Sequence, residues 1–159
     1  MNIAAIKKFD VSNGEGVRVS VFVSGCSLHC KGCHNVEAWD FDFGFQYTDE
    51  IENSILECCE HPQIKGLSIL GGEPFDPKNR ECVLNLIKAF RNKFSSSKNI
   101  WVWTGYTISQ LKNEKSPIIS EILKNVDVIV DGPFKEELRD VTLKFRGSSN
   151  QRILEKMKS

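Results

Sequence analysis

Four short apolar runs along the chain are each followed within two residues by a glycine. They cover positions 18–24, 66–70, 100–103 and 126–130. Short continuous runs of this kind predict strands that are buried on both faces, as in a parallel sheet. Each predicted strand would open at its carboxyl end into a glycine-containing loop. Weaker patterns at 2–9 and 141–145 predict two further strands.

Between these runs, apolar residues recur at the 3.6-residue spacing of amphipathic helices. The first predicted helix covers 49–60, with Asp49 as its cap, and the second covers 79–94. A third begins at Ser116, which has the character of an N-cap and is followed by a proline suited to the first helical position. Strands that alternate with helices predict βαβ units in an α/β fold with a mostly parallel sheet.

The composition is that of one ordinary globular domain. The chain has 159 residues, with 21 Lys and Arg against 21 Asp and Glu, so its formal net charge is zero. We therefore expect a single domain over 1–159 and no electrostatic attraction to nucleic acid or to an anionic membrane. The N-terminus lacks a signal-peptide pattern, and no run is long enough to span a membrane. These features, with six cysteines expected to be reduced, predict a cytoplasmic protein.

The candidate chemistry lies in three closely spaced cysteines, Cys26, Cys30 and Cys33. Thiolates at this density bind a soft metal centre or exchange disulfides. A [4Fe–4S] cluster normally takes four cysteines, one for each iron. The C-x3-C-x2-C spacing therefore predicts a cluster with one open iron, at which a substrate can bind.

Zinc is the main alternative, because His29 or His34 can supply a fourth ligand. Structural zinc sites usually pair two knuckles, and the other three cysteines form no second C-x2-C motif. Disulfide exchange fits less well, since a thioredoxin-type C-x2-C belongs to a different helical context. The spacing favours iron and sulfur and leaves zinc open.

A second motif, Gly71-Gly72-Glu73-Pro74, follows the second strong strand. Two glycines allow a sharp turn and the close approach of a ligand, because no Cβ stands in the way. Ligands of parallel sheets bind beyond the carboxyl ends of the strands, and the cysteines leave the sheet at that same edge. We therefore expect one ligand to contact both loops.

These two motifs together resemble the radical S-adenosylmethionine superfamily. More narrowly, the chain resembles the anaerobic ribonucleoside-triphosphate reductase-activating proteins, the small activases of a glycyl-radical enzyme. The narrower resemblance runs nearly end to end. It rests on the segments NGEGVR at 13–18, FVSGC at 22–26, CHN at 33–35, Trp39, DPKN at 76–79, WVWTGY at 101–106, VDG at 130–132 and RGSSNQR at 146–152.

The resemblance implies a [4Fe–4S] cluster on the three cysteines, with its open iron holding the amino and carboxylate groups of S-adenosylmethionine. Backbone groups of the turn 71–73 would accept hydrogen bonds from the ammonium of this cosubstrate. Gly32, Cys33 and His34 would contact its adenine, mostly through the backbone. The catalytic groups would then be the cluster and the cosubstrate rather than side chains.

The implied activity is that of an iron–sulfur oxidoreductase. The reduced cluster would cleave S-adenosylmethionine to methionine and a 5′-deoxyadenosyl radical, which would take a hydrogen from a glycine of anaerobic ribonucleoside-triphosphate reductase. An electron donor, such as a flavodoxin-type or thiol reductant, is a second expected partner. Activation of another glycyl-radical enzyme of the formate-lyase type, action on a free metabolite, and a non-catalytic zinc-binding module remain as alternatives.

The expected fold is an incomplete (βα) barrel, with a curved, mostly parallel sheet, helices outside and the site at the carboxyl edge. A complete eight-unit barrel needs about 250 residues, so this chain would leave a side open for the glycine loop of the partner. Segment 146–152 is expected beside that opening. The roles of Asp131, Trp101 and Trp103 stay undecided between turn or core positions and the cavity wall.

Overall fold

The computed structural model describes residues 1–33 and 36–156, and its strands and helices alternate along most of the chain. The strands are β1 (Asn2–Asp10), β2 (Val17–Val23), β3 (Phe45–Gln46), β4 (Ile64–Gly71), β5 (Asn99–Trp103), β6 (Val128–Asp131) and β7 (Arg152–Glu155). The helices are α1 (Asp49–Cys59), α2 (Arg80–Phe94), α3 (Ile108–Asn113) and α4 (Pro117–Asn125), with short 3-10 turns at Val36–Trp39 and Glu136–Leu138.

All seven strands belong to one sheet, in the order β3-β1-β2-β4-β5-β6-β7. The four central strands β2, β4, β5 and β6 run parallel to one another. Strands β1, β3 and β7 are added antiparallel at the two ends. The α/β class is thereby confirmed. The barrel is not, because the sheet in the described residues is mixed and open, with β3 and β7 as its edges.

The main core lies between one face of the sheet and the helices. Alternate residues of the central strands, such as Val21, Ile69 and Val102, are fully buried there against Ile87 and Phe90 of α2. Burying one such side chain stabilises the fold by about 2 kcal/mol. This packing fixes the strands, and so fixes where their carboxyl ends point.

The opposite face of the sheet has a smaller apolar cluster and a buried cation. Trp101, Val128 and Val130 pack there with Trp103 and Phe145. Both tryptophans therefore lie on this face, whereas Val102 belongs to the main core. The rings of Trp101 and Trp103 are 5.6 Å apart.

Arg18 lies fully buried at the start of β2, on the same face as these tryptophans. Its guanidinium donates to Ser68 Oγ at 2.7 Å and to the carbonyls of Leu67 at 3.0 Å and Glu15 at 3.1 Å. Burial lowers its pKa to about 10. One cation thus joins β2, β4 and the loop that precedes β2, at the end of the sheet opposite the cysteines.

Three local predictions were wrong or incomplete. Positions 141–145 form turns rather than a strand, and the last strand is β7 instead. Helix α1 is capped by Thr48, whose hydroxyl accepts from the amide of Ile51, rather than by Asp49. Helix α3 was not predicted, although it begins with a capping box formed by Thr107 and Gln110. Helix α4 begins as predicted, with Ser116 as its N-cap and a proline in its first turn.

Replacing Arg18 with lysine should lower the free energy of unfolding by about 3 kcal/mol, because a single ammonium cannot serve the acceptors on β4 and on the loop before β2 at once. Urea unfolding of the cluster-free protein measures this change. Lys88→Met on the exposed side of α2 is the control and should shift the value by less than about 0.5 kcal/mol. Equal stability of Arg18→Lys and the unaltered chain would contradict the structural role.

Candidate functional site

The loops that leave the carboxyl ends of the parallel strands meet around one cavity of about 160 Å³. We call residues 24–33 after β2 the cysteine loop, and residues 71–74 after β4 the glycine turn. The cavity wall comes from both, from the loop after β5 and from two segments further along. Its lining residues are Cys26, Leu28, Cys30, Cys33, Trp39, Leu70, Gly71, Gly72, Glu73, Trp103, Thr104, Gly105, Phe134 and Gln151.

The cysteine loop places all three predicted cysteines on this cavity. Their thiols are reduced and partly buried. The amide of Cys33 donates to the carbonyl of Cys30 at 3.1 Å, which closes a tight turn between them. Burial is the main cause that raises the pKa of Cys26 above its usual value. The geometry therefore brings together the three side chains that the spacing singled out.

The backbone that leads into Cys26 is held by the segment that follows the cysteine loop. The amide of Gly25 donates to Ala38 at 2.6 Å, and the amide of Cys26 donates to Trp39 at 3.2 Å. Gly25 has a φ of +101°, and a Cβ there would lie 2.0 Å from the ring of Phe41. Only glycine fits this position, because both the backbone angle and the packing exclude a side chain.

The glycine turn lies directly against the cysteine loop. The amide of Gly72 donates to Val23 at 2.7 Å, and the amide of Glu73 donates to Gly25 at 2.8 Å. A Cβ at Gly72 would lie 2.5 Å from the carbonyl oxygen of Gly25, and one at Gly71 would lie 2.7 Å from the backbone of Val23. The glycines were expected to make room for a ligand. In the structure, the missing side chains make room for the neighbouring backbone.

The side chain of Glu73 joins the glycine turn to the loop after β5. Its carboxylate accepts from Thr104 Oγ1 and the amide of Gly105, each at 2.7 Å, and from the amide of Phe75 at 2.9 Å. Burial raises the pKa of Glu73 to about 7, although the three donors favour the charged form. The resemblance assigned only backbone contacts to Glu73, and its signal as a buried acid was missed.

Of the three remaining candidate residues, two lie within the described part of the chain. Gly32 is exposed, and its Cα faces the side chain of Glu136, from which an added Cβ would be 3.1 Å away. His34 lies outside the described residues. His29 is exposed, and its ring stacks on that of Trp39 at 4.3 Å between centroids.

Residues far along the chain complete the site in ways that the sequence did not reveal. Phe134 reaches the cavity wall from the segment after β6, and Gln151 reaches it from the segment before β7. The side chain of Gln151 accepts from the amides of Gly147 at 2.8 Å and Ser148 at 3.2 Å, and it donates to Gly132 at 3.1 Å. Segment 146–152 is therefore folded back onto the loop after β6, beside the cysteines.

Asp131 has a structural position rather than a place in the cavity wall. It is buried at the end of β6, where its carboxylate accepts from Arg152 at 2.6 Å and from the amide of Ile108 at 2.9 Å. It thus ties β7 and the start of α3 to β6. Trp103 does line the cavity, and its indole donates to the carbonyl of Phe145 at 2.7 Å.

The donor set fits an iron–sulfur cluster by its chemistry, because three thiols from one loop line a single cavity together with the glycine turn. Within residues 1–33 and 36–156, no three His, Cys, Asp or Glu side chains are already gathered into a metal-binding group, so the three thiols line the cavity without converging on one point. In the same part of the chain, no helix is long and apolar enough to cross a membrane.

Comparison with known proteins gives a consistent result over almost the whole chain. A family model described as a 4Fe-4S single cluster domain matches residues 12–154. An anaerobic ribonucleoside-triphosphate reductase-activating protein of Vibrio cholerae is 41% identical over 96% of this chain and 97% of its own length. Proteins of the same name from Pasteurella multocida and Escherichia coli K12 are 38% and 37% identical, over 96% and 95% of this chain and 96% of their own length. The chain belongs to the family of anaerobic ribonucleoside-triphosphate reductase-activating proteins.

Proposed function

We propose that this protein is an iron–sulfur activase that cleaves S-adenosylmethionine reductively and generates the glycyl radical of anaerobic ribonucleoside-triphosphate reductase. The observation that carries the proposal is the shared cavity, in which three thiols and the glycine turn face the same space. The match to a 4Fe-4S domain supports the cluster. The names of the relatives support the reductase as the partner.

In this proposal, Cys26, Cys30 and Cys33 would hold a [4Fe–4S] cluster, and its fourth iron would have no protein ligand and would be free to bind the cosubstrate. The bound cluster would supply the electron that converts S-adenosylmethionine into methionine and a 5′-deoxyadenosyl radical. The residues of the chain position the cosubstrate. Carbonyl groups of the turn 71–73 accept hydrogen bonds from its ammonium, and the backbone at 32–34 contacts its adenine.

The walls of the cavity keep water away from the reacting groups. Leu28, Leu70, Trp103 and Phe134 contribute apolar surface around the thiols. A radical that abstracts hydrogen atoms needs such a wall, because stray donors would quench it. Glu73 supports this wall indirectly, since its buried carboxylate holds the loop that carries Thr104 and Gly105.

A second cavity supports a macromolecular substrate. It has a volume of about 400 Å³ and shares Cys33, Trp103 and Gln151 with the first, so the two are neighbours. Ser12 and Arg146 line its outer part. Arg146 donates to the carbonyl of Gln151 at 2.9 Å, and its Nε is a buried donor with no partner among the described residues. Because this Nε is buried, the Arg146 side chain would have to turn towards the cavity to donate to a peptide carbonyl of the partner's glycine loop.

Two other functions make different predictions for the same preparation. A zinc-binding module would be colourless after anaerobic reconstitution, whereas an iron–sulfur protein would absorb broadly in the visible range. An activase of another glycyl-radical enzyme would hold the cluster but would leave the reductase inactive. Electron paramagnetic resonance of a mixture with the reductase, S-adenosylmethionine and a reductant of the flavodoxin or thiol type separates such an activase from the proposed one, since only the proposed one would produce a glycyl radical on the reductase.

The cluster assignment predicts two groups of cysteine variants. Cys26→Ala, Cys30→Ala and Cys33→Ala should each remove cluster iron and methionine production, because each leaves one iron without its thiolate. The triple variant of Cys58, Cys59 and Cys82 to serine is the control. It should keep its iron, since these residues lie on α1 and α2 away from the cavity wall. Loss of the cluster in the control would contradict the assignment.

Gly72→Val should reduce both cluster loading and cosubstrate affinity. The added side chain would collide with the carbonyls of Gly25 and Ala38, which hold the cysteine loop. We expect the affinity for S-adenosylmethionine to fall at least tenfold, which is ~1.4 kcal/mol. Calorimetry on reconstituted protein and iron analysis measure the two effects. Ala5→Val, which introduces the same side chain at an exposed position of β1, is the control and should change neither value.

Arg146→Met tests the partner cavity. The variant should load its cluster and cleave S-adenosylmethionine without the reductase, but glycyl-radical formation should fall at least tenfold. A point change is sharper than removal of residues from 146 onward, because truncation would also delete β7 and the Asp131–Arg152 ion pair. Arg139→Met, at an exposed position seven residues earlier in the chain, is the control. Activation of the reductase at the full rate by Arg146→Met would remove the basis for docking here.

A further inference from the structure

The segment that follows the glycine turn contacts the cysteine loop on both sides of Cys26. Two polar side chains of this segment, Asp76 and Asn79, are almost completely buried, with 2% and 1% of their surface exposed. Neither lines the cavity. Their contacts run instead to the backbone and side chains that surround the first cysteine.

The amide nitrogen of Asn79 lies within hydrogen-bond distance of three carbonyl oxygens, which share its two hydrogens. They belong to Ser24 at 3.1 Å, Gly25 at 3.2 Å and Glu73 at 3.1 Å. The first two immediately precede Cys26, and the third belongs to the glycine turn. A single side chain is therefore bonded to both halves of the site.

The position of Asn79 on the chain makes this use of its amide informative. Asn79 is the N-cap residue of α2, where asparagine normally accepts from an amide of the first helical turn. Here its side chain makes no capping bond. The side chain faces the cysteine loop and leaves the start of the helix to other groups.

Asp76 holds the other side of Cys26. Its Oδ2 accepts from Ser27 Oγ at 2.8 Å, and its backbone carbonyl accepts from the amides of Asn79 at 2.8 Å and Arg80 at 2.9 Å. The turn that begins α2 thus has a fixed shape. As a result, the Asp76 carboxylate reaches the residue after Cys26, and the Asn79 amide reaches the two residues before it.

We propose that Asn79 and Asp76 are positioning residues that set where Cys26 places its thiolate relative to the glycine turn. The inference rests on the proposed function, since it takes Cys26 as a cluster ligand. It goes further by assigning the distance between cluster and cosubstrate to buried groups that touch neither. A shift of this loop by a fraction of an ångström would move the open iron away from the backbone that binds the cosubstrate.

Asn79→Ala removes the contacts with all three carbonyls and tests the assignment. After reconstitution it should retain at least half of the iron of the unaltered protein, because the three thiols remain. Its reduced cluster should give an altered electron paramagnetic resonance spectrum, and its dissociation constant for S-adenosylmethionine should rise at least tenfold. Asn125→Ala is the matched control. That asparagine also donates to a backbone carbonyl, of Glu121 at 2.8 Å, but it lies ahead of β6, at the opposite end of the strands.

The melting temperature of the cluster-free protein separates positioning from a purely structural role. If Asn79→Ala melts earlier but its loaded form has the spectrum and affinity of the unaltered protein, the inference is wrong. If Asn79→Ala does not fold, Ser27→Ala decides, because Ser27 is exposed and its loss removes only the Asp76 contact. We expect a changed spectrum and an affinity reduced at least threefold, and unchanged values would overturn the inference.

A failure of the proposed function has a different outcome. An unaltered protein that loads no iron–sulfur cluster would overturn the proposed function together with this inference. A loaded and active protein whose Asn79 and Ser27 variants both behave normally would overturn the inference alone.

Discussion

The close backbone contact between the ends of β2 and β4 is the constraint on which the rest of the site depends. Gly72 and Gly25 approach so closely that a Cβ at Gly72 would lie 2.5 Å from the carbonyl oxygen of Gly25. Two backbone hydrogen bonds, from the amide of Gly72 to Val23 and from the amide of Glu73 to Gly25, hold the two loops together. Because the parallel strands are fixed by the main core, this contact brings the thiols and the glycine turn to one cavity.

Buried polar groups extend this constraint to the neighbouring loops. Glu73 fixes the loop after β5, and Asn79 fixes the cysteine loop from the other side. A buried carboxylate or amide costs free energy unless its hydrogen bonds are made, so such groups hold one arrangement and exclude others. The site is thus rigid at the cysteine that lies nearest the sheet. It is more open at Lys31 and Gly32, which are exposed.

The open sheet suits the proposed reaction on a large partner. The described part of the chain covers the cysteines on the side of the strands. The sheet does not close around them, since β3 and β7 are its edges, and the larger cavity, which Arg146 lines, lies beside them. A small substrate could be enclosed only if the protein had a wall at the place where this larger cavity lies. A glycine loop of a large partner would supply that wall itself and would exclude water when it binds.

The sequence by itself determined the fold class, the four central strands, three of the helices and the three cysteines, because these depend on local periodicity and spacing. It did not determine β7, helix α3, the cap Thr48, the open sheet, or the parts played by Glu73, Asn79 and Gln151. The cap Thr48 and the capping box of α3 are local signals that were missed. The others depend on contacts between distant segments, such as Gln151 with Gly132 or Asp131 with Arg152. The pattern around 141–145 resembled a strand, yet those residues lie in turns and β6 pairs with 152–155 instead. Local propensity is weak beside tertiary pairing, and a buried polar side chain acquires its role only when folding brings its partners to it.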